Sequence, residues 1–168
     1  MITLLTSLTG SPQKKSNYAI SLFIEGKVIK QEKCIKYLGV YIDSHLNWKY
    51  QIQYISKKIK RNIGILSKIR HFVTLSILTQ LYYTLIYPFL TYAVMTWGNT
   101  YSTTLHPLTI LQKKAIRLIT FSKFDAHSTP LFYRLEILKF IDLIFTNNAL
   151  FMYDFHTGTL PPVFNDFF

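Results

Sequence analysis

The feature that most constrains this chain is a long stretch, Phe72–Gln112, that contains no Asp, Glu, Lys or Arg. Its central part, Leu75–Trp97, would be long enough to cross a bilayer as one helix. Most of its apolar residues, however, recur at the spacings of one helical face: Leu78, Leu81, Tyr82, Leu85, Ile86, Phe89, Leu90, Ala93 and Trp97. Because a lipid-facing helix would be apolar on all sides, the pattern favours a buried core helix, with a membrane span as the alternative.

Composition excludes several classes of protein. Hydrophobic residues make up 49% of the 168 residues and charged residues 16%, so the chain can bury a core and is not intrinsically disordered. A length of this order corresponds to about one domain. The single cysteine, Cys34, cannot form an internal disulfide, which excludes a disulfide-stapled secreted domain.

Positive charge is concentrated in the first part of the chain. The formal net charge is +11, and residues 1–70 carry 13 Lys or Arg against 3 acids, whereas the remainder carries 6 against 5. Ser44–Arg70 alone holds seven basic residues and no acid. Such asymmetry is typical of proteins that bind nucleic acid or a membrane surface. The sequence therefore predicts a polyanionic partner, the alternative being a solvated basic face that binds nothing.

Three short segments near the N-terminus have strand character. Tyr18–Ile24 and Lys27–Lys30 are predicted to pair as a hairpin through a tight turn. Ile35–Ile42 is predicted to be a third strand, in which Gly39 marks a bulge or the close approach of another backbone.

A long amphipathic helix is predicted from Trp48 onward, with Asn47 as its N-cap. Its apolar residues are spaced by three or four positions: Ile52, Ile55, Ile59, Ile63, Leu66 and Ile69. Its basic residues mostly fall outside that stripe: Lys57, Lys58, Lys60, Arg61, Lys68 and Arg70. The helix is therefore expected to pack through the apolar stripe and to present cations on its other face.

Four further helices complete the predicted fold. They are Leu75–Trp97, which Pro88 should kink or split, then Pro107–Thr120, Ser128–Leu138 and Ile141–His156, the last stopped by Gly158. The expected fold class is α+β, mostly α, with short antiparallel strands followed by a bundle of about five helices.

Motifs of catalytic and cofactor sites are absent from the sequence. It contains no GxxxxGK[ST], GxGxxG, HExxH or CxxC. Tyr41-Ile42-Asp43 matches only part of the polymerase Tyr-x-Asp-Asp motif, because Ser44 follows. The acids form no DD, DxD or ExE pair that could hold Mg²⁺ for phosphoryl transfer. We therefore predict no catalytic residue, no metal site and no cofactor, and expect a binding module.

Several ordered blocks resemble the C-terminal part of reverse transcriptases from non-LTR retrotransposons of the jockey-like group. KYLGVYIDSHLNWKYQI (36–52) resembles the segment just after the catalytic palm motifs. LYYTLIYPFLTYAVMTWGNT (81–100) and LQKKAIRLIT (111–120) resemble the family's L-Y-x-x-L-I-x-P and L-Q-x-K-A-I-R-x-I blocks. LFYRLEIL (131–138) and residues 147–168 resemble its final helices. The resemblance covers about residues 18–168.

The resemblance implies a division into three parts. Residues 1–17 would be an irregular leader unlike the family, 18–46 the end of the palm with a Leu-Gly primer-grip hairpin, and 47–168 the thumb and its extension. The fingers and the catalytic palm would lie N-terminal to this chain, so the chain is expected to be inactive alone, without the ligands for the Mg²⁺ that the parent enzyme uses. The implied location is intracellular, reaching the nucleus through the parent element.

The implied partner is an RNA or DNA template–primer, together with the fingers and palm of the parent polymerase. The predicted nucleic-acid-binding residues are Lys36, Tyr37, Gly39, Lys57, Lys58, Lys60, Arg61, Lys68 and Arg70. One alternative is a stand-alone nucleic-acid-binding adaptor, because Trp48–Trp97 is distantly similar to a short domain of AlkB-like tRNA-modifying oxygenases. A membrane-associated protein is the other alternative.

Overall fold

The computed structural model describes residues 22–24, 26–29 and 32–166. Four short strands come first: β1 (Leu22–Ile24), β2 (Lys27–Ile29), β3 (Cys34–Tyr37) and β4 (Val40–Asp43). The helices are α1 (Lys49–Ile69), α2 (Leu75–Leu85), α3 (Tyr87–Thr91), α4 (Val94–Trp97), α5 (Ser102–Ile119), α6 (Ser128–Leu135) and α7 (Phe140–His156), followed by a 3₁₀ helix, Pro162–Asp166. The predicted class, α+β and mostly α, is confirmed. The chain divides into two compact units, residues 1–51 and 52–168.

Each pair of strands forms an antiparallel hairpin. In the first, Leu22 lies opposite Ile29; the rest of the segments predicted there, residues 18–21 and 30, falls outside the described residues. In the second, Cys34 lies opposite Asp43. The prediction of one continuous strand over 35–42 is wrong, because Leu38 and Gly39 both adopt positive φ (44° and 83°). Two such residues form a type I′ turn, which reverses the chain.

A buried carboxylate organises the approach to α1. Asp43 is 3% exposed, and its Oδ1 accepts hydrogen bonds from the backbone N–H groups of His45 (3.1 Å) and Asn47 (3.2 Å). Its Oδ2 accepts from the N–H of Trp48 at 2.9 Å. Asn47 Oδ1 in turn accepts from the N–H of Lys49 at 3.1 Å and so satisfies a first-turn donor. The helix begins at Lys49, one residue later than predicted, so Asn47 lies one residue before the cap position. These bonds determine where the helix begins.

The apolar stripe predicted for α1 is the side that becomes buried. Its buried members are Ile52, Ile55, Ile59, Ile63 and Leu66, while Ile69 at the helix end is half-buried. The Nδ2 group of Asn62 donates to the backbone carbonyl of Leu85, which ties α1 to the end of α2. Packing and this bond together set the direction in which the opposite face points.

The uncharged segment forms three short helices. Thr74 caps α2, its Oγ1 accepting from the N–H of Ile77 at 3.4 Å. The predicted break occurs at Ile86, and Pro88 lies in the first turn of α3, where a missing N–H costs nothing. A second break occurs at Ala93, which has φ 51°. Five members of the predicted face are buried, namely Leu78, Tyr82, Ile86, Leu90 and Trp97. Past the break at Ala93 the buried residue is Val94 rather than the predicted Ala93, which is half-buried.

The helix predicted from Pro107 begins earlier, at Ser102. Proline removes one backbone donor from α5, but Leu105 and Leu108 on either side of it are buried, and this packing holds the first turns in place. The predicted end of α6 at Leu138 is also wrong, because Glu136 turns into the left-handed region with φ 54° and ends the helix.

A buried polar network crosses the core of the helical unit. Gln112 is 1% exposed, and its Nε2 donates to Tyr82 Oη at 2.8 Å and to the Leu138 carbonyl at 3.0 Å. Its Oε1 accepts from the N–H of Phe140 at 2.7 Å. Trp97, which is fully buried, stacks on Phe140 with ring centroids 6.1 Å apart. The network joins α2, α5 and α7 with each polar group paired.

Candidate nucleic-acid interface

The face of α1 opposite its buried stripe is basic. Lys57, Lys60, Arg61 and Lys68 are exposed and Lys58 is half-buried. Since each residue turns the helix by about 100°, Lys57, Arg61 and Lys68 lie nearly in line and extend over roughly 16 Å of helix. No acid occurs between Ser44 and Arg70 to neutralise them. This row of cations can contact several phosphates along one strand at once.

Local contacts order two of the cations. The amino group of Lys58 lies 5.5 Å from the ring centroid of Tyr54, one turn earlier, within the range of a cation–π contact. At the end of the helix the guanidinium carbon of Arg70 lies 5.1 Å from the ring centroid of Phe121. The Nε group of Arg70 also donates to Nε2 of His71 at 3.1 Å. Arg70 is therefore held against the end of α5, whereas Lys57 and Arg61 project from the helix.

The other predicted site residues lie on the second hairpin, in the N-terminal unit. Lys36, Tyr37 and Gly39 are all exposed, with Tyr37 62% exposed. The amino group of Lys36 lies 5.6 Å from the ring centroid of Tyr41, its partner across the hairpin. The structure thus brings Lys36, Tyr37 and Gly39 together in residues 1–51, and the predicted cations from Lys57 to Arg70 together in residues 52–168.

Two features of this region leave little or no signal in the sequence. Asp43 organises the entry to α1, and only its position before a polar turn, Asp43-Ser44-His45, suggests such a role. Phe121 contacts Arg70 across 51 positions of sequence, and no pattern in the sequence signals that contact.

The chemistry of the described residues offers a thiol but no cluster of metal ligands. In residues 22–24, 26–29 and 32–166, no three His, Cys, Asp or Glu side chains lie close enough to hold a metal ion. Burial raises the pKa of the Cys34 thiol, and the nearby Asp43 carboxylate raises that pKa further. A raised pKa keeps the thiol protonated, and a protonated thiol is a poor nucleophile.

Within the part of the chain that the structure describes, no helix has the length and apolar character needed to cross a membrane.

Comparison with known proteins gives no relative. No model of a protein family, no curated protein and no solved structure matches this chain.

Proposed function

We propose that this chain binds nucleic acid through the basic face of α1, as the thumb-like part of a reverse transcriptase from a non-LTR mobile element. The partner would be a template–primer duplex of RNA and DNA. The single observation that carries the proposal is the arrangement of α1, which buries an apolar stripe and exposes a row of lysine and arginine with no acid among them.

The chemistry of this face favours phosphate over bases. Lysine is a compact charge that attracts phosphate without reading sequence, and α1 has no cluster of Asn, Gln and Arg arranged to contact base edges. Counterions released by each neutralised phosphate would supply much of the free energy of binding. Affinity is therefore expected to be insensitive to sequence and to fall steeply with salt.

The exposed hairpin residues support the same role within their own unit. Lys36 supplies a charge, and Tyr37 an aromatic ring that is largely exposed. At Gly39, where φ is 83°, the absence of a side chain leaves the turn backbone accessible to a nucleic-acid strand. In the proposed function these residues contact the primer, as the resemblance to primer-grip hairpins implies.

The decisive experiment replaces Lys57, Lys58, Lys60 and Arg61 together by Gln. Glutamine is a comparable helix former, so α1 should remain folded. Binding to a labelled RNA–DNA duplex is measured at several salt concentrations. The variant should bind more weakly, and its salt slope should be smaller by up to roughly 0.9 for each phosphate that the variant no longer neutralises.

A matched control removes the same charge elsewhere. Replacing Lys113, Lys114, Arg134 and Lys139 by Gln lowers the net charge equally but leaves α1 intact. The control should keep most of the salt slope. Equal slopes for the α1 variant and the unchanged protein would show that the α1 cations are only solvated, and would refute the proposal.

The origin of the chain is tested separately. The assignment to a reverse transcriptase expects a reading frame that encodes a Tyr-x-Asp-Asp motif directly upstream in the genome. Its absence would favour the adaptor function, which shares the same binding face.

A further inference from the structure

The backbone at the end of α5 holds a phenylalanine in an unusual conformation. Phe121 has φ 55°, its N–H donates to the Leu118 carbonyl at 3.3 Å, and the N–H of Ser122 donates to the Arg117 carbonyl at 2.9 Å. This pair of bonds is the Schellman motif, whose left-handed residue is usually glycine. A bulky residue at positive φ is a true outlier, because its Cβ crowds the backbone.

The end of α7 has the same motif with the expected residue. There Gly158, with φ 67°, donates to the Phe155 carbonyl at 3.1 Å, and Thr159 donates to the Asp154 carbonyl at 3.0 Å. Gly158 thus ends α7 without backbone strain, whereas Phe121 ends α5 in a strained backbone conformation. Strained residues that persist in a fold are concentrated at binding sites. Leu46, Trp48 and Glu136 also adopt positive φ, so a binding role for Phe121 depends on the contacts of its ring.

The loop that carries Phe121 is held by hydrogen bonds of the residues before and after it in the sequence. Arg117 Nε donates to the Ala126 carbonyl at 2.8 Å, and the hydroxyls of Thr120 and Ser122 lie 2.8 Å apart. The N–H of Ala126 donates to the Lys123 carbonyl at 3.2 Å. The ring is therefore presented on an ordered backbone, which reduces the entropy lost when a ligand binds.

The surroundings of the ring combine cations and exposed aromatic surface. Arg70 lies over the ring, and the ring of His71 meets it edge-on with centroids 5.6 Å apart. Phe121 remains 51% exposed, and the neighbouring phenylalanines along the two segments, Phe72 and Phe124, are 84% and 90% exposed. Exposed Lys68 in the last turn of α1 continues the basic face to this point.

We propose that Arg70, His71 and Phe121 form a stacking site for an unpaired nucleobase of the nucleic acid that lies along α1. The inference rests on the proposed function of α1, since the phosphates bound there deliver the base to the ring. Aromatic side chains stack on any base, and adjacent cations hold the flanking phosphates. The charge around the ring favours a nucleic acid over an apolar protein segment.

The test compares two probes that differ only in their bases. Both are RNA–DNA duplexes with the same single-stranded extension, in which the bases are either present or replaced by abasic sites. Because stacking contributes about 1–3 kcal/mol per base, the unchanged protein should bind the base-containing probe at least about fivefold more tightly. Equal affinity for the two probes would show that no base stacks on the ring and would overturn the inference.

Phe121→Gly is the informative variant. Glycine is readily accommodated at positive φ, so the Tm of the variant should be unchanged or higher. The ratio of its affinities for the base-containing and abasic probes should fall to about one. Glu136→Gly is the matched control, because Glu136 also ends a helix at positive φ but directly follows α6. The control should keep the ratio. A ratio retained in Phe121→Gly would overturn the inference.

Two further variants separate the inference from the proposed function. Phe121→Trp keeps an aromatic surface and should keep the ratio; loss of the ratio there would assign the effect to the backbone and refute stacking. The quadruple α1 variant should bind both probes more weakly with the ratio preserved. Failure of the unchanged protein to bind either probe at low salt would overturn both proposals.

Discussion

Helix α1 and the three helices α2–α4 bury their apolar faces alike but expose different chemistry. The exposed face of α1 is cationic, whereas that of α2 is uncharged: it carries the polar residues Ser76, Gln80 and Thr84 together with Ile77 and Tyr83. The hydroxyl of Thr84 donates to the Gln80 carbonyl of its own helix at 3.2 Å. Periodicity therefore tells which side is buried in both regions, while only charge points to a ligand.

From this comparison we predict that helices α2–α4 mainly stabilise the fold, whereas α1 mainly binds nucleic acid. Trp97→Ala should have the largest effect, because Trp97 is fully buried, stacks on Phe140 and donates from Nε1 to the Tyr92 carbonyl at 3.0 Å. We expect the free energy of unfolding to fall by about 3–5 kcal/mol in urea denaturation. The control Tyr101→Ala removes a side chain that is 76% exposed and should cost less than about 0.5 kcal/mol. Similar losses in the two variants would contradict the packing of this region.

Two glycines sharpen the same contrast. At Gly98, after α4, an added Cβ would lie 2.5 Å from the Val94 carbonyl oxygen and 2.9 Å from Val94 Cγ2, so Gly98→Ala should lower the free energy of unfolding by about 1–3 kcal/mol. At Gly64, on the exposed side of α1, nothing lies within 4 Å of an added Cβ. Gly64→Ala should therefore raise stability by up to about 1 kcal/mol. Urea denaturation of both variants checks the signs, and equal signs would be evidence against the difference between the two regions.

Titration of a buried tyrosine offers a third measurement. Burial raises the pKa of Tyr82 well above its ordinary value, so the folded protein keeps the phenol protonated after the unfolded chain has lost the proton. The contribution of the Tyr82 phenol to the free energy of unfolding is therefore fully present below about pH 10. It decreases as the pH rises further, by at most about 1.4 kcal/mol per pH unit.

Tyr82→Phe should reduce that decrease when urea denaturation is repeated at pH 9, 10 and 11. The Gln112 amide keeps its bond to Leu138, so the variant should still fold. Tyr83→Phe is the control, because Tyr83 is more exposed and should contribute less to the pH dependence. A pH dependence unchanged by Tyr82→Phe would contradict the burial of this phenol.

Sequence reasoning succeeded where a local period decides the structure. The stripe of α1 and most of the buried face of the uncharged segment follow from residue spacing alone, and so does the exposure of Lys57, Lys60, Arg61 and Lys68. It failed where a residue adopts a backbone conformation that its residue type disfavours. Leu38 reverses the second hairpin at positive φ, and Glu136 ends α6 in the same region, although neither residue type favours it.

Contacts between distant residues were also beyond sequence reasoning. The spacing of α5 places Gln112 on the apolar face, four residues after Leu108, but it gives no sign that Tyr82, Leu138 and Phe140 satisfy its amide. Arg70 is predicted from the sequence as one more phosphate ligand of α1, whereas it lies against Phe121. A pairwise contact of this kind is created by the packing of whole helices, and a single sequence records no trace of it.

The smallest expected effect tests whether the neutral face of α2 lies in solvent or in lipid. Thr84 is exposed, and lysine is a better helix former than threonine. If the face is solvated, Thr84→Lys should change the free energy of unfolding by no more than about 0.5 kcal/mol, measured in urea. It should also leave unchanged the fraction of the expressed chain that sediments with membranes in a density gradient.

A face embedded in lipid would respond differently, because a lysine in the hydrocarbon region costs roughly 2.5–3.5 kcal/mol. Release from the membrane fraction on this substitution would favour the membrane-associated alternative and remove the distinction drawn between the two regions.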